Sequence, residues 1–190
     1  MKKLLFLALL SIFFLATTSH ALTGLGIGVR GGYLSGYDNP DLALTTGSVD
    51  KMPMLGAHVN VGFIPVFDIV FSGEYAWQTE KDFLPGVDLT YGDLSVNGTA
   101  IYKFSMPVIS PYVGAGLGFH RLIYSWDGTY PGVAPGDQTK MSWHGVGGLT
   151  FSFPAMPFEF FVEGRYSSLR TEAKATNYPS FLGGITFGMP

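Results

Sequence analysis

The chain contains no cysteine. Neither a disulfide framework nor a thiolate metal site can be built from it. Charge is scarce as well: Asp, Glu, Lys and Arg together make 13% of the residues, about half the share in an average soluble domain. The basic residues form no cluster, which argues against nucleic acid as a partner. Beyond residue 21 there is no apolar run of the roughly 18–20 residues that a spanning helix needs. A chain so poor in charge has little with which to solvate its surface. If it meets lipid, the other spanning solution that satisfies the backbone is a closed β-barrel.

What is present begins with "MKKLLFLALLSIFFLATTSHA". Lys2 and Lys3 form a basic start, Leu4 to Ala16 an apolar stretch, and Thr17 to Ala21 a short polar tail ending Ser-x-Ala. That is the layout of a secretory signal peptide, with cleavage expected after Ala21. The expected organisation is a signal peptide over 1–21 and one domain over 22–190. Without Lys2 and Lys3, nine basic residues face fourteen acidic ones.

Alternating segments are predicted at roughly 23–34, 54–64, 67–78, 93–104, 111–122, 140–153, 158–168 and 180–189, each long enough for a tilted membrane strand. "IPV" at 64–66, "SMPVIS" at 105–110 and "PAMP" at 154–157 are short, proline-containing connections. Residues 35–53, 79–92, 123–139 and 169–179 are longer, polar and acidic, and are expected as loops outside the cell. Short turns on one side and long loops on the other are the layout of bacterial outer-membrane barrels. The predicted fold is all-β: an eight-stranded antiparallel up-and-down transmembrane barrel.

Each segment has an apolar face without charge, such as Ile27 and Val29, Val59 and Val61, or Phe160 and Val162. In the first, third, fourth and seventh segments the charges, Arg30, Asp68, Glu74, Asp93, Lys103, Glu159, Glu163 and Arg165, fall on the opposite face. Phe63, Phe67, Phe104, Phe153, Phe158 and Phe187 gather toward the short turns, and Tyr33, Trp77, Trp143 and Tyr166 toward the long loops. Two aromatic girdles around an aliphatic band mark a lipid-facing barrel. Glycine recurs at every second position in "PYVGAGLGFH", at Gly114, Gly116 and Gly118, and again at Gly24, Gly26 and Gly28. On the inward face of so narrow a barrel, these positions are expected to make room for large inward residues elsewhere. Arg30, Asp68, Glu74, Lys103, Glu163 and Arg165 are the expected polar network of the lumen. Asp68 and Lys103 should pair at the short-turn end, with Arg30, Glu74, Glu163 and Arg165 clustered higher up.

With its signal peptide, "PYVGAGLGFH", "FFVEGRYSSL" and the closing "FLGGITFG", the chain resembles the small eight-stranded outer-membrane β-barrel family of Gram-negative bacteria. That group includes the opacity-type proteins and the barrel domain of outer-membrane protein A, and the resemblance covers residues 22–190. It implies location in the cell outer membrane and insertion by a barrel-assembly machinery that reads an alternating last strand. Phe181, Gly183, Ile185 and Phe187 match that rhythm, followed here by Gly188-Met189-Pro190. The expected partners are therefore outer-membrane lipids and, during biogenesis, the assembly machinery. A monomer is expected, and the loops carry no motif that names an extracellular ligand.

Several patterns have sharper readings that the residues do not favour. "GIGVRG" at 26–31 satisfies G-x-G-x-x-G, but a polar loop follows it where a dinucleotide site needs a helix. His58, His120 and His144 come from three different segments in no short ligand spacing, so no metal is expected. "WHGVGG" places His144 two residues after Ser142 on an inward face, away from the lipid that a lipid A-modifying enzyme would act on. Asn97-Gly98-Thr99 matches a glycosylation sequon but lies within a strand. No catalytic residue and no cofactor are expected. The reading is a non-enzymatic outer-membrane protein with a structural, adhesive or surface-interaction role through its loops. The alternatives are a passive, porin-like conduit for small apolar molecules, a lipid A enzyme, and a soluble lipocalin-like barrel.

Overall fold

Eight strands follow one another around a ring: β1 (Gly24–Tyr37), β2 (Val49–Ile64), β3 (Phe67–Leu84), β4 (Val87–Lys103), β5 (Ile109–Asp127), β6 (Gln138–Ser152), β7 (Phe158–Leu169) and β8 (Thr176–Met189). Every neighbouring pair is antiparallel, and β1 pairs with β8 to close the barrel. The computed structural model describes residues 24–37, 49–64, 67–84, 87–127, 136–153, 156–170 and 175–189. The expected signal peptide, most of loop 35–53 and part of each other loop lie outside the described residues.

Alternation is the local cause of this arrangement. In β1, Ile27 and Val29 face out while Gly28 and Arg30 face in; in β7, Val162 and Tyr166 face out while Glu163 and Arg165 are buried. The register follows from it: Val29 pairs with Ala57 and Ile185, so one apolar row runs around the outside. Tyr33 against Phe181 (5.6 Å between ring centroids) and Tyr75 stacked on Trp77 (5.9 Å) mark the rim toward the loops. Phe158 against Phe187 (5.9 Å) and Tyr102 against Phe104 (5.0 Å) mark the rim toward the turns.

All four expected loops are shortened by strand: β1 runs on to Tyr37 and β2 begins at Val49, inside the expected loop 35–53. Residues 79–92, expected as a loop, are largely β3 and β4, paired through Thr79–Thr90 and on to Leu84–Val87. Likewise β5 runs on to Asp127, β6 begins at Gln138, and β8 takes in residues 176–179. The physical reason is an inversion of polarity. Above the loop-side aromatic rim, the inward residues are apolar: Tyr37, Met52, Leu89, Tyr91, Leu122, Tyr124, Leu169 and Tyr178 form one buried cluster. Their outward neighbours, among them Lys51, Thr79, Arg121, Ser125 and Asp127, are exposed. The two-residue period continues, but its faces exchange character. Gly36, in the left-handed region at φ 64°, precedes Tyr37 and lets its ring join the interior although Tyr33, four residues before, faces out.

The inward glycines give room to particular neighbours. A Cβ on Gly116 would stand 2.5 Å from His144 Nε2, and one on Gly56 2.8 Å from Glu74 Cγ. Gly28 underlies His58 and Gly148 underlies Tyr112 in the same way, whereas Gly24 has open space. The outward Gly147 is also open. Replacing Gly116 by Val should therefore cost about 1–3 kcal/mol through overpacking. Gly147→Val should stay within about 0.5 kcal/mol. Urea unfolding of the folded protein in vesicles, followed by tryptophan fluorescence, checks both.

Candidate functional site

The interior between the two rims holds most of the buried polar side chains. At its centre Glu74, from β3, receives both arginines. Arg165 on β7 donates through Nη1 to Glu74 Oε2 (2.7 Å) and through Nη2 to Glu74 Oε1 (3.0 Å), a two-point grip. Arg30 on β1 donates to Glu74 Oε1 at 3.1 Å. Glu163, two residues from Arg165 on the same face, accepts from Arg165 at 3.1 Å and lies 3.8 Å from Arg30. Two cations thus meet two anions, all with side chains no more than 6% exposed.

Neutral donors complete the shell. Ser72 Oγ donates to Glu74 (2.9 Å) and Tyr112 OH to Glu163 (3.0 Å). Arg30 Nε donates to His58 Nδ1 (3.4 Å), which leaves His58 Nε2–H to donate to Thr186 Oγ1 at 2.8 Å. The arginine plane also lies 5.3 Å from the ring centre of Phe161. Buried charges persist when they are paired and hydrogen-bonded in this way. Nearer the turns, Lys103 Nζ lies 3.3 Å from Asp68 and 3.8 Å from Glu159, in a wetter setting where Lys103 is 20% exposed. The structure therefore groups the six sequence-predicted residues as four at the centre and two at the mouth.

One constellation was not visible in the sequence. Asp93 on β4, His120 on β5 and Ser142 on β6 stand in line: Asp93 Oδ2 is 2.9 Å from His120 Nδ1, and His120 Nε2 is 2.9 Å from Ser142 Oγ. A carboxylate only accepts, so Nδ1 carries the hydrogen, and Nε2 is the ring atom that faces the serine hydroxyl. That is the acid–base–nucleophile order of a hydrolase triad. The sequence placed Ser142 beside His144, two residues away on the same face; instead His144 Nε2 meets Thr99 Oγ1 at 2.8 Å. No sequence spacing reveals the triad, because residues 27 and 22 positions apart are aligned only by strand register.

The line lies deep in the filled lumen. Asp93, His120 and Ser142 are 3%, 5% and 4% exposed. The cavity beside His120 holds about 10 Å³, room for about one water. A second, of about 30 Å³, lies on the other side of the ion cluster beside Arg30 and Lys103. Toward the loops the path is closed by Tyr91, which donates to Tyr37 OH at 2.7 Å, and by Tyr124 and Tyr178 packed against that pair. Among the described residues no group of three His, Asp or Glu is placed to hold a metal ion. His58, His120 and His144 each bond to a different partner. "GIGVRG" is part of β1.

No protein-family model matches the chain. No curated protein sequence matches it either. Solved structures do. Neisserial surface protein A shares 15% identity at a TM-score of 0.59, over 86% of this chain and 95% of that one. Ail, the attachment invasion locus protein of Yersinia pestis, shares 13% at 0.55, over 90% and 100%. The outer membrane protein OprG from Pseudomonas aeruginosa shares 14% at 0.54, over 88% and 97%. The likeness is one of fold, and the fold is that of the small eight-stranded outer-membrane β-barrels.

Glu74→Ala leaves two buried arginines sharing one remaining carboxylate and should destabilise the barrel by about 3–5 kcal/mol. Lys103→Ala, at the wetter mouth, should cost no more than about 1 kcal/mol. Equilibrium unfolding of both variants in lipid vesicles measures the difference.

Proposed function

We propose that the mature chain is a non-enzymatic protein of the cell outer membrane, exported by the signal peptide at 1–21 and inserted as a monomeric barrel. Its role is structural or adhesive, exercised by the end that carries the long loops. The observation that carries this reading is the outer surface. Between the two aromatic rims it presents Ile27, Val29, Val59, Phe71, Val96, Val113, Leu117 and Val162 to the surroundings, each 37–60% exposed. Every charge of that zone faces inward. In water such a belt is an aggregation hazard; in a bilayer it is the favoured face.

The interior supports a structural role over a conducting one. Among the described residues, one cavity of water size lies between the loop-end tyrosines and the central ion cluster, and another lies beyond the cluster toward Lys103. The loop end supports a presenting role. There the strands continue past the aromatic rim with an apolar core and a polar exterior. The name of Ail as an attachment and invasion protein is in keeping with such a role, as fold-level analogy.

Fractionation of cells producing the full chain should place the mature protein in the outer membrane. Recovery from the periplasm as a detergent-free monomer would overturn the reading. Val59→Arg, in the middle of the belt, should cost about 2–4 kcal/mol of folding stability in vesicles. Purified protein in planar bilayers should show no steady current, and a sustained open channel would favour the conduit instead. A fluorophosphonate probe should leave Ser142 unlabelled in the folded protein, whereas labelling there would revive the enzyme reading.

A further inference from the structure

At the end of the barrel opposite the tyrosines, one turn joins β4 to β5 over residues 104–108, and a second connection, of which Phe153, Met156 and Pro157 are described, joins β6 to β7. Turns that stand in water are ordinarily built from Gly, Pro, Asn, Asp and Ser, and of these the turns here have Ser105 and prolines. They also present apolar side chains: Met106 is 49% exposed, Val108 39%, Ile109 44% and Met156 51%. Neither turn carries a charged residue.

Several backbone groups of the described turn residues are paired within the protein. Met106 N–H donates to Ser110 Oγ (3.2 Å), and Ser110 Oγ–H returns a bond to Met106 O (3.2 Å). Phe104 N–H donates to Pro111 O (2.8 Å) and Met156 N–H to Phe153 O (3.1 Å). Pro107 and Pro157 have no N–H to satisfy. Ser152 N–H donates to Val108 O (2.9 Å) and Gly188 N–H to Pro157 O (3.2 Å), tying each turn to a strand beside it. Backbone groups paired within the protein are what non-aqueous surroundings demand, and water does not.

We propose that these periplasmic turns are seated in the inner leaflet of the outer membrane, at the boundary of acyl chains and headgroups. Lipid contact then runs to the tips of the barrel instead of ending at the lower aromatic rim. The inference rests on the membrane reading above. Phospholipid is the occupant because the patch continues the apolar belt: Ile109 pairs with Phe151, and Val113 and Leu117 follow outward on the same strand. The height agrees. The ten-residue step from Phe119 to Ile109 is about 33 Å of strand, or about 25 Å along the membrane normal at a tilt of about 40°, the height of an apolar band. Ile109 therefore lies at the lower edge of that band, with Met106 and Val108 just past it, where interfacial apolar groups settle.

The absence of cysteine makes the test direct. Nitroxide labels are placed on Met106→Cys, Val108→Cys and Met156→Cys, with Val113→Cys as a mid-belt control and Ser125→Cys as a water-facing one. Each protein is folded into vesicles of phosphatidylethanolamine and phosphatidylglycerol, with circular dichroism confirming the strand content. Collision rates with oxygen and with a water-soluble nickel chelate are then measured. The turn labels should favour oxygen several-fold more than the Ser125 label does, approaching the Val113 label. Turn labels that match Ser125 while Val113 remains oxygen-rich would overturn the inference and leave the membrane reading standing. A Val113 label as open to nickel as Ser125 would overturn both. The vesicles hold no other protein, so turns that serve as a protein-docking patch would register as water-exposed and also count against lipid.

Discussion

Closure of the ring by β1 and β8 is the constraint from which the rest of this structure follows. With eight strands the enclosed space is only wide enough to be filled by side chains. Every inward residue must then fit against residues from several other strands, and nothing inward can be left to solvent as it can on an open sheet. This is why large and small inward residues alternate between strands, with Gly116 beneath His144 and Gly56 beneath Glu74. It is also why four charges at the centre sum to zero and touch one another.

The same closure accounts for the change of character along the barrel axis. Where the outside is apolar, the lumen can be polar because the polar groups satisfy one another. Where the outside turns polar, past Tyr33 and Trp77, the lumen becomes an apolar core of tyrosine, leucine and methionine. Each section is thus amphipathic, but with opposite sense. The upper section resembles a small water-soluble barrel standing on a membrane one, and its buried tyrosines close the end that faces the loops.

The Asp93–His120–Ser142 line shows how readily a filled polar lumen produces catalytic geometry. Three hydrogen-bonding side chains packed at one height will satisfy each other in sequence, and here they do so at triad distances. Beside the serine the described residues leave a cavity of about 10 Å³. In so filled a lumen, such a line works as packing that also satisfies polar groups.

Much of this was legible from residues alone, because a strand's two-residue period assigns each side chain to a face without knowledge of its neighbours. The strands, the uncharged outer face and the inward placement of Arg30, Glu74, Glu163 and Arg165 all follow from that local rule. Continuation of β3, β4 and β5 into the expected loops was hidden because the rule was applied with one sign of polarity, and the sign reverses at Leu89, Tyr91 and Leu122. Which inward residues meet was not legible at all. Glu74 and Arg165 are 91 positions apart, and His120 takes Ser142 while His144 takes Thr99. Those partnerships depend on register and on closure of the ring, which are properties of eight strands together and of no single segment.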